Sequence, residues 1–320
     1  MIKTIAITGA NGMMGAHLTA NALLKHYKVK ALVRQTPSDD HFFHQLLAHY
    51  ACTKDLLEII ECDYEDRQAL SLALENCDEV YHCAAKVKFD GKINEMIAAN
   101  VSISKRIVNI CIEQQIPKVI YLSSIAAIGK KYKGKYSWGD LHWNSLYGYT
   151  KFLGELEFIR AHEEGLNTSI YRAGVIVGPC PKEHPMGKML LKTVFGKMPY
   201  TSGGSGFISA QFLAERMLSD FNQSVYKPST MVSQNLNYKA VAQSIGSIRN
   251  LGVIFISKST LRLLQILSGL GKVLFINKQR LRSHTIHSLT TDSDYSCLPD
   301  SDAIESSLEE SIKFLGKGKE

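Results

Sequence analysis

The chain has few of the features that mark secreted, metal-binding or membrane-spanning proteins. Its seven cysteines are odd in number and scattered, with no Cys-x-x-Cys pair, which argues against a disulfide framework or a zinc site. The eleven histidines also lack the spacing of metal ligands, so no metal site is predicted. No signal peptide is expected, because the first apolar run begins within the first seven residues. Together these absences predict reduced thiols and a cytoplasmic protein.

Acidic residues are missing from a long stretch of the C-terminal third. Between Asp220 and Asp292 the sequence has nine Lys and Arg residues and no Asp or Glu. The apolar run within this stretch, 251–276, is interrupted by basic residues and is too polar for a membrane span. Three interpretations stay open: the basic segment 227–282 contacts a membrane surface peripherally, attracts an anionic substrate such as an acyl carrier or coenzyme A ester, or simply turns its lysines to water. No nucleic-acid-binding motif accompanies the charge, so nucleic acid is not a predicted partner.

A glycine-rich turn follows the first apolar run. The sequence Thr-Gly-Ala-Asn-Gly-Met-Met-Gly, residues 8–15, comes directly after Ile-Ala-Ile and precedes apolar residues at helical spacing. In a strand, turn and helix of this kind, glycines let the backbone approach a pyrophosphate, whose charge is stabilised by the helix N-terminus. The pattern therefore predicts a dinucleotide site that includes Gly9, Asn11, Gly12, Met13, Met14 and Gly15.

One charged residue indicates which dinucleotide is bound. The second predicted strand, 29–33, ends at Arg34, where the adenosine ribose is expected. A site for NAD normally has an acidic residue here, whereas arginine suits the 2′-phosphate of NADP. The sequence therefore favours NADP(H), with NAD(H) left open and a solvated strand-end charge as the alternative interpretation of Arg34.

Apolar runs and helical patterns continue to alternate along the chain. Runs at 57–60, 79–85 and 119–124 are separated by helical segments, which predicts an α/β fold with a doubly wound parallel Rossmann sheet. The length allows a dinucleotide-binding domain over 1–175 and a smaller lobe over 176–320, mainly for substrate, with segments returning to the Rossmann core. Ser124 ends the third of these runs and is therefore expected at the ligand-binding carboxyl edge of the sheet.

Tyr147 and Lys151 are four residues apart in a helical segment and so share one helix face. A neighbouring ammonium is expected to lower the phenol pKa from its usual value of about 10 toward working pH. Tyr147 is then predicted to exchange a proton with a substrate oxygen, to which Ser124 hydrogen-bonds. Lys151 is also predicted to hold the nicotinamide ribose.

The order and spacing of these motifs resemble those of the extended short-chain dehydrogenase/reductases, in the NAD-dependent epimerase/dehydratase superfamily, over nearly the whole chain. The matching features are the glycine turn, Asp63, the 82–85 segment, Asn100, Ser124, the Tyr147 and Lys151 pair, and Arg172 with 178–179. The resemblance implies that Asp63 and Tyr64 hold the adenine and that Asn100 supports the cofactor or a proton path. It also implies a homodimer, and cofactor contacts from Ala84, Ala85 and Ala173.

Two departures set the chain apart from the sugar-nucleotide epimerases of that superfamily. Val175 stands where those enzymes carry an Asn for the sugar diphosphate, and an expected acidic pair is missing from 207–212. With Arg34, these departures favour the branch that resembles dihydroflavonol reductases and 3β-hydroxysteroid dehydrogenases. The prediction is an NADP(H)-dependent oxidoreductase that moves hydride to or from a carbonyl or alcohol of a largely apolar small molecule. Alternatives are an NAD(P)-dependent nucleotide-sugar epimerase or dehydratase, and a non-catalytic NADP-binding sensor.

Overall fold

The computed structural model describes residues 2–87, 92–130, 135–143, 145–219, 227–269, 289–291, 293–298 and 303–317. The chain divides into two compact units, Met1–Ala173 with Ala210–Met231, and Gly174–Ser209 with Val232–Glu320. All residues predicted for catalysis or cofactor binding belong to the first unit. The substrate-binding role of the second unit stays a prediction.

The secondary structure alternates between strands and helices, as the apolar pattern predicts. The strands are β1 (Thr4–Thr8), β2 (Lys28–Val33), β3 (Leu57–Glu61), β4 (Glu79–His82), β5 (Lys118–Ser124), β6 (Tyr136–Trp138), β7 (Leu141–Trp143), β8 (Thr168–Ala173), β9 (Val175–Val177), β10 (Met198–Tyr200), β11 (Gly204–Ser209), β12 (Ser229–Met231), β13 (Gln234–Asn237) and β14 (Val253–Phe255). The helices are α1 (Met13–Leu24), α2 (Phe42–His49), α3 (Arg67–Leu74), α4 (Ile93–Ile97), α5 (Ile103–Glu113), α6 (Leu146–Glu163), α7 (Pro185–Leu191), α8 (Ala210–Leu218), α9 (Tyr238–Ile248), α10 (Lys258–Gly269) and α11 (Ile304–Lys317).

The first unit is built on a parallel sheet of seven described strands, in the order β12-β8-β5-β4-β1-β2-β3. The chain runs outward from β1 in one direction through β2 and β3, then returns to β4 on the other side of β1. The strand order therefore reverses between β1 and β4, and in such sheets the crevice at the reversal binds ligands. This topology confirms the predicted Rossmann fold.

The centre of the sheet is covered on both faces, which explains why β1 is a buried apolar run. Ile5, Ala6 and Ile7 of β1 are fully buried, as is expected of a parallel strand between two layers of helices. Helix α1 is buried along nearly its whole length. Its buried Asn21 is satisfied by Gln211 of α8, because the two side-chain amides exchange hydrogen bonds of 3.1 and 3.0 Å.

The predicted helical segment between β4 and β5 is divided in the structure. Helices α4 and α5 are joined by a single π-helical turn, Ala98–Ser102. A π turn inserts one extra residue into the helix and often marks a functional position. Asn100, implicated by the family resemblance, lies in the middle of this turn.

The second unit contains a three-stranded sheet, β13-β11-β9, and the parallel pair β10-β14. Its basic residues Lys239, Lys258 and Arg262 are exposed. Residues 270–288, which include the end of the basic segment 227–282, lie outside the described residues. No helix in the described part of the chain is long and apolar enough to cross a membrane. Peripheral membrane contact, the homodimer and the cytoplasmic location stay predictions.

Candidate active site

The glycine turn between β1 and α1 forms a close-packed cradle. Gly9 has a φ of +66°, and a Cβ there would lie 2.8 Å from the Cα of Ala84, while a Cβ on Gly15 would lie 2.2 Å from the carbonyl oxygen of Gly9. Both positions therefore require glycine. Gly12 is the N-cap of α1 and has no side chain to satisfy the N–H groups of the first helical turn. Those N–H groups and the positive helix end fit an anionic pyrophosphate, which a dinucleotide would supply.

Tyr64 supports this turn by a contact that the sequence did not predict. Its ring is buried, and its hydroxyl donates to the carbonyl of Leu32 at 2.7 Å and accepts from the N–H of Gly9 at 2.8 Å. Burial raises the pKa of the Tyr64 phenol well above its usual value, so the hydroxyl stays protonated. The end of β2 is thereby tied to the start of the turn.

Arg34 and Asp63 lie where the adenosine end is expected. Both are exposed: Arg34 lies directly after β2 and Asp63 lies two residues after the neighbouring β3, with the Asp63 carboxylate accepting from the N–H of Glu65 at 2.9 Å. The nearest acidic strand end, Glu61, is already engaged, because Thr36 donates to it from its N–H at 2.9 Å and its hydroxyl at 2.8 Å. The exposed guanidinium of Arg34 at this edge fits a 2′-phosphate.

Ser124 and Tyr147 are brought together by a close approach of two backbones. Ser124 ends β5 and caps the short 3₁₀ turn Ile125–Ala127, accepting from the N–H of Ala126 at 3.1 Å. A Cβ on Gly148, the residue after Tyr147, would lie 2.2 Å from the carbonyl oxygen of Ala126. Only glycine at 148 therefore lets the first turn of α6 pack against the end of β5.

The pKa of Tyr147 is raised to about 12, chiefly because the phenol is buried, and a hydrogen bond with Ser124 partly opposes this shift. The predicted net fall of the Tyr147 pKa toward working pH is therefore wrong for this arrangement, because burial has the larger effect. The ammonium of Lys151 donates to the carbonyl of Leu122 at 2.6 Å. Tyr147 is consequently a protonated donor at neutral pH.

Lys151 is almost completely buried, with 2% of its surface exposed. Its Nζ lies 4.0 Å from the centre of the Tyr121 ring. Burial lowers the pKa of Lys151 to about 7, a shift that the Glu155 carboxylate partly opposes. Charged and neutral forms of this lysine are therefore both populated near neutral pH.

Glu155 is a site residue that the sequence reasoning missed. It is fully buried and accepts hydrogen bonds from the Ser123 hydroxyl and from Nε and Nη2 of Arg172, the latter at 2.6 Å. Its signal in the sequence was spacing, since Tyr147, Lys151 and Glu155 repeat at intervals of four on one helix face.

Asn100 reaches both the segment after β4 and helix α6. Its Oδ1 accepts from the N–H of Lys86 at 2.7 Å, and its Nδ2 donates to the Lys86 carbonyl and to Thr150 Oγ1, each at 3.1 Å. Of the predicted cofactor contacts, Ala84 and Ala85 lie in the segment that Asn100 holds, and Ala173 pairs with Ser124 across β8 and β5. The structure therefore brings the predicted residues to one edge of the sheet.

A parallel sheet with such a turn at its strand reversal is the dinucleotide-binding fold, so the molecule is an NAD(P)-binding protein. Comparison with known proteins gives the family. The NAD dependent epimerase/dehydratase family matches residues 5–198, more than half of the chain, and the chain belongs to that family. This confirms the predicted extended short-chain dehydrogenase/reductase and the prediction of an NAD(P)-dependent enzyme.

The chain is similar to several reductases and, in fold, to epimerases. It is 26% identical to cinnamoyl-CoA reductase 1 of Arabidopsis thaliana over 63% of this chain and 60% of that protein. It is 27% identical to a putative dihydroflavonol 4-reductase of Synechocystis, over 67% of this chain and 62% of that protein. The matches thus span under two thirds of these relatives. The crystal structure of UDP-glucuronic acid 4-epimerase from Bacillus cereus with NAD superposes with a TM-score of 0.71 at 16% identity, covering 99% and 100% of the two chains.

Proposed function

We propose that this protein is an NADP(H)-dependent oxidoreductase that interconverts a carbonyl and an alcohol on a largely apolar small molecule. The observation that carries the proposal is the packing of Gly148 on Ala126, which sets the Tyr147 phenol beside the Ser124 hydroxyl at the carboxyl edge of the sheet. Two hydroxyl groups that share a hydrogen bond, with a buried lysine one helical turn away, suit a substrate oxygen that gains or loses a proton.

When bound, the nicotinamide supplies a hydride to the carbonyl carbon or accepts one from the alcohol. Tyr147 donates its phenolic proton to the carbonyl oxygen, which Ser124 orients by a hydrogen bond. The high pKa of Tyr147, about 12, keeps that proton on the enzyme at neutral pH until an oxygen of developing negative charge is present. The positive charge of Lys151 stabilises the phenolate that Tyr147 becomes when it donates its proton.

Replacement of Tyr147 by Phe tests the proton transfer. A carbonyl panel of cinnamoyl-CoA, a dihydroflavonol and a 3-ketosteroid, assayed by NADPH oxidation, would first identify a substrate. With that substrate, Tyr147→Phe should lower turnover by about 10²- to 10⁴-fold, because the general acid is lost. Tyr149→Phe is the matched control, since Tyr149 stacks on Tyr136 with 5.5 Å between ring centres. Unchanged turnover in Tyr147→Phe would contradict the mechanism.

Preference for NADP(H) over NAD(H) rests on Arg34. Calorimetric titration of the wild type with each cofactor should show NADPH binding about tenfold tighter or more, a difference of about 1.4 kcal/mol. Arg34→Ala should remove that preference while leaving NADH affinity unchanged. Lys28→Ala is a suitable control, because Lys28 is an exposed cation at the opposite end of β2. Equal binding of both cofactors by the wild type would favour the nucleotide-sugar alternative.

The apolar substrate class is supported by the relatives that are named as reductases of cinnamoyl-CoA and dihydroflavonols. The nucleotide-sugar alternative draws support from the fold of UDP-sugar epimerases. Against it, Val175 replaces the Asn of the epimerase pattern. UDP-glucose and UDP-glucuronic acid belong in the same panel, and conversion of either one in preference to all carbonyls would decide for that alternative.

A further inference from the structure

A buried histidine lies between the cofactor turn and the helix that carries Asn100. His82, the last residue of β4, has no exposed surface. Its Nδ1 is 2.8 Å from the hydroxyl of Thr8, which precedes the glycine turn, and its Nε2 is 3.1 Å from the hydroxyl of Ser104 in α5. The imidazole therefore bridges the start of the cofactor turn and the helix beyond the π turn.

The hydrogen bonds through this imidazole run in one direction. The Ala84 N–H donates to Thr8 Oγ1 at 3.3 Å, and Ser104 Oγ donates to the carbonyl of Asn100 at 2.9 Å. Because the Ser104 hydroxyl donates its hydrogen bond to the Asn100 carbonyl, the Ser104 oxygen accepts the hydrogen bond from His82. The His82 ring therefore carries its hydrogen on Nε2. Nδ1 is then the acceptor for the Thr8 hydroxyl. Burial lowers the pKa of His82 to about 3, so the ring is neutral and able to accept and donate once each.

The chain of bonds continues to the catalytic helix. Asn100 clasps both backbone groups of Lys86 and donates to Thr150 Oγ1, whose hydroxyl donates to the carbonyl of Tyr147 at 3.1 Å. A π turn interrupts the regular helical ladder, so side-chain bonds fix its geometry. Ser104 supplies one such bond directly to Asn100.

We propose that His82 and Ser104 are positioning residues that fix the Asn100 turn and thereby couple the cofactor turn to the Tyr147 helix. The catalytic consequence rests on the proposed function, whereas the structural coupling does not. Neither residue touches the reacting atoms. Their contribution is to hold Lys86 and the first turns of α6 in register with the glycine turn.

Amide hydrogen exchange by mass spectrometry tests the coupling without any substrate. Ser104→Ala should increase exchange in 98–105 and also at 84–87, since the Lys86 N–H depends on Asn100. The matched control is Ser311→Ala: Ser311 is equally buried and donates to the carbonyl of Ser307, four residues earlier, as Ser104 does to Asn100. The control should increase exchange only in 304–317. Unchanged exchange at 84–87 in Ser104→Ala would overturn the proposal.

Turnover then separates positioning from simple stability. With the substrate found above, Ser104→Ala should lose about 10- to 100-fold in kcat, the scale of a small misplacement of reacting groups, with KM little changed. His82→Phe should lose as much in kcat. His82→Gln keeps an N–H group for Ser104, so it should recover most of the wild-type kcat and most of the protection from amide exchange at 84–87. A kcat in Ser104→Ala equal to that of Ser311→Ala would refute the coupling to catalysis. If the wild type reduces no carbonyl, the proposed function fails while the exchange experiment still decides the coupling.

Discussion

Two regions of the first unit use glycine for the same physical purpose, yet only one was visible in the sequence. At the cofactor turn, Gly9 and Gly15 allow backbone atoms of neighbouring segments to approach. At the start of α6, Gly148 allows the helix to pack against Ala126, far away in the chain. In the proposed function, the first contact shapes the turn that binds the pyrophosphate, and the second positions the tyrosine that delivers the proton.

Gly15 and Gly148 differ in the distance in sequence to the residues on which they pack, whereas Gly9 also packs on a remote residue, Ala84. Gly15 packs on Gly9 within one turn, so a local pattern reports the contact. Gly148 packs on a carbonyl that follows another strand, and nothing near Gly148 in the sequence reveals that partner. The requirement for glycine at position 148 therefore comes from tertiary packing and not from the local sequence.

A Gly→Ala substitution in each region should separate the effect on NADPH binding from the effect on turnover. Gly15→Ala should abolish measurable NADPH binding, because its Cβ would lie 2.2 Å from the Gly9 carbonyl oxygen. Gly148→Ala should keep NADPH affinity within about threefold while turnover falls about 100-fold, the effect of displacing reacting groups by about 1 Å. Calorimetry and NADPH oxidation give the two readouts.

Gly316→Ala is the matched control for these variants, since a Cβ there meets no atom within 4 Å. It should change neither affinity nor turnover. Loss of NADPH binding in Gly148→Ala would show that the two regions do not have separate roles.

A charge change sharpens the role of the α6 region. Burial lowers the pKa of Lys151 to about 7, and the Glu155 carboxylate opposes part of that fall. The other titratable groups beside Lys151 include Tyr121, Cys83 and the neutral His82. The ammonium fraction therefore falls as pH rises through about 7, and the reduction rate should fall with it. Glu155→Gln removes the charge that raises the pKa, so this fall should move to lower pH. At pH 7 the variant should lose about tenfold in kcat.

The profile of kcat against pH checks that shift. Glu157→Gln is the control, because Glu157 lies on the same helix and pairs with Arg160 at 3.1 Å instead of contacting the site. Its profile should overlay that of the wild type. A shift of the Glu155→Gln profile to higher pH would contradict the assigned electrostatics.

The smallest expected effect concerns the cofactor turn. Tyr64→Phe removes the hydroxyl that joins the Gly9 N–H to the Leu32 carbonyl. One neutral hydrogen bond contributes about 1 kcal/mol, so the Kd for NADPH should rise about fivefold with kcat unchanged. Tyr81→Phe is the control, since Tyr81 is also buried and donates to Glu79 instead. A fold-loss in kcat larger than the fold-rise in Kd would show that Tyr64 contributes to the catalytic step and not only to cofactor binding.

The fold class and the cofactor half of the site were largely predictable. Alternating apolar runs predicted the strands of the central sheet, and the glycine turn appeared at the end of β1, where the sheet reverses. The divided helix around Asn100 was not predicted, because a π turn depends on bonds to distant residues such as Lys86. The pKa of Tyr147 was predicted in the wrong direction, since helix spacing ignores burial.

The sequence by itself determined the strand and helix order, the glycine cradle and the position of Tyr147 and Lys151 on one helix face, because each depends on short-range spacing. Tertiary structure alone decided that Glu155 pairs with Arg172 and acts on Lys151, that the Tyr64 hydroxyl supports the glycine turn, and that His82 joins two segments. Those contacts unite residues from different strands and helices. Burial and electrostatics follow from such long-range contacts, so they emerge only when the chain is folded.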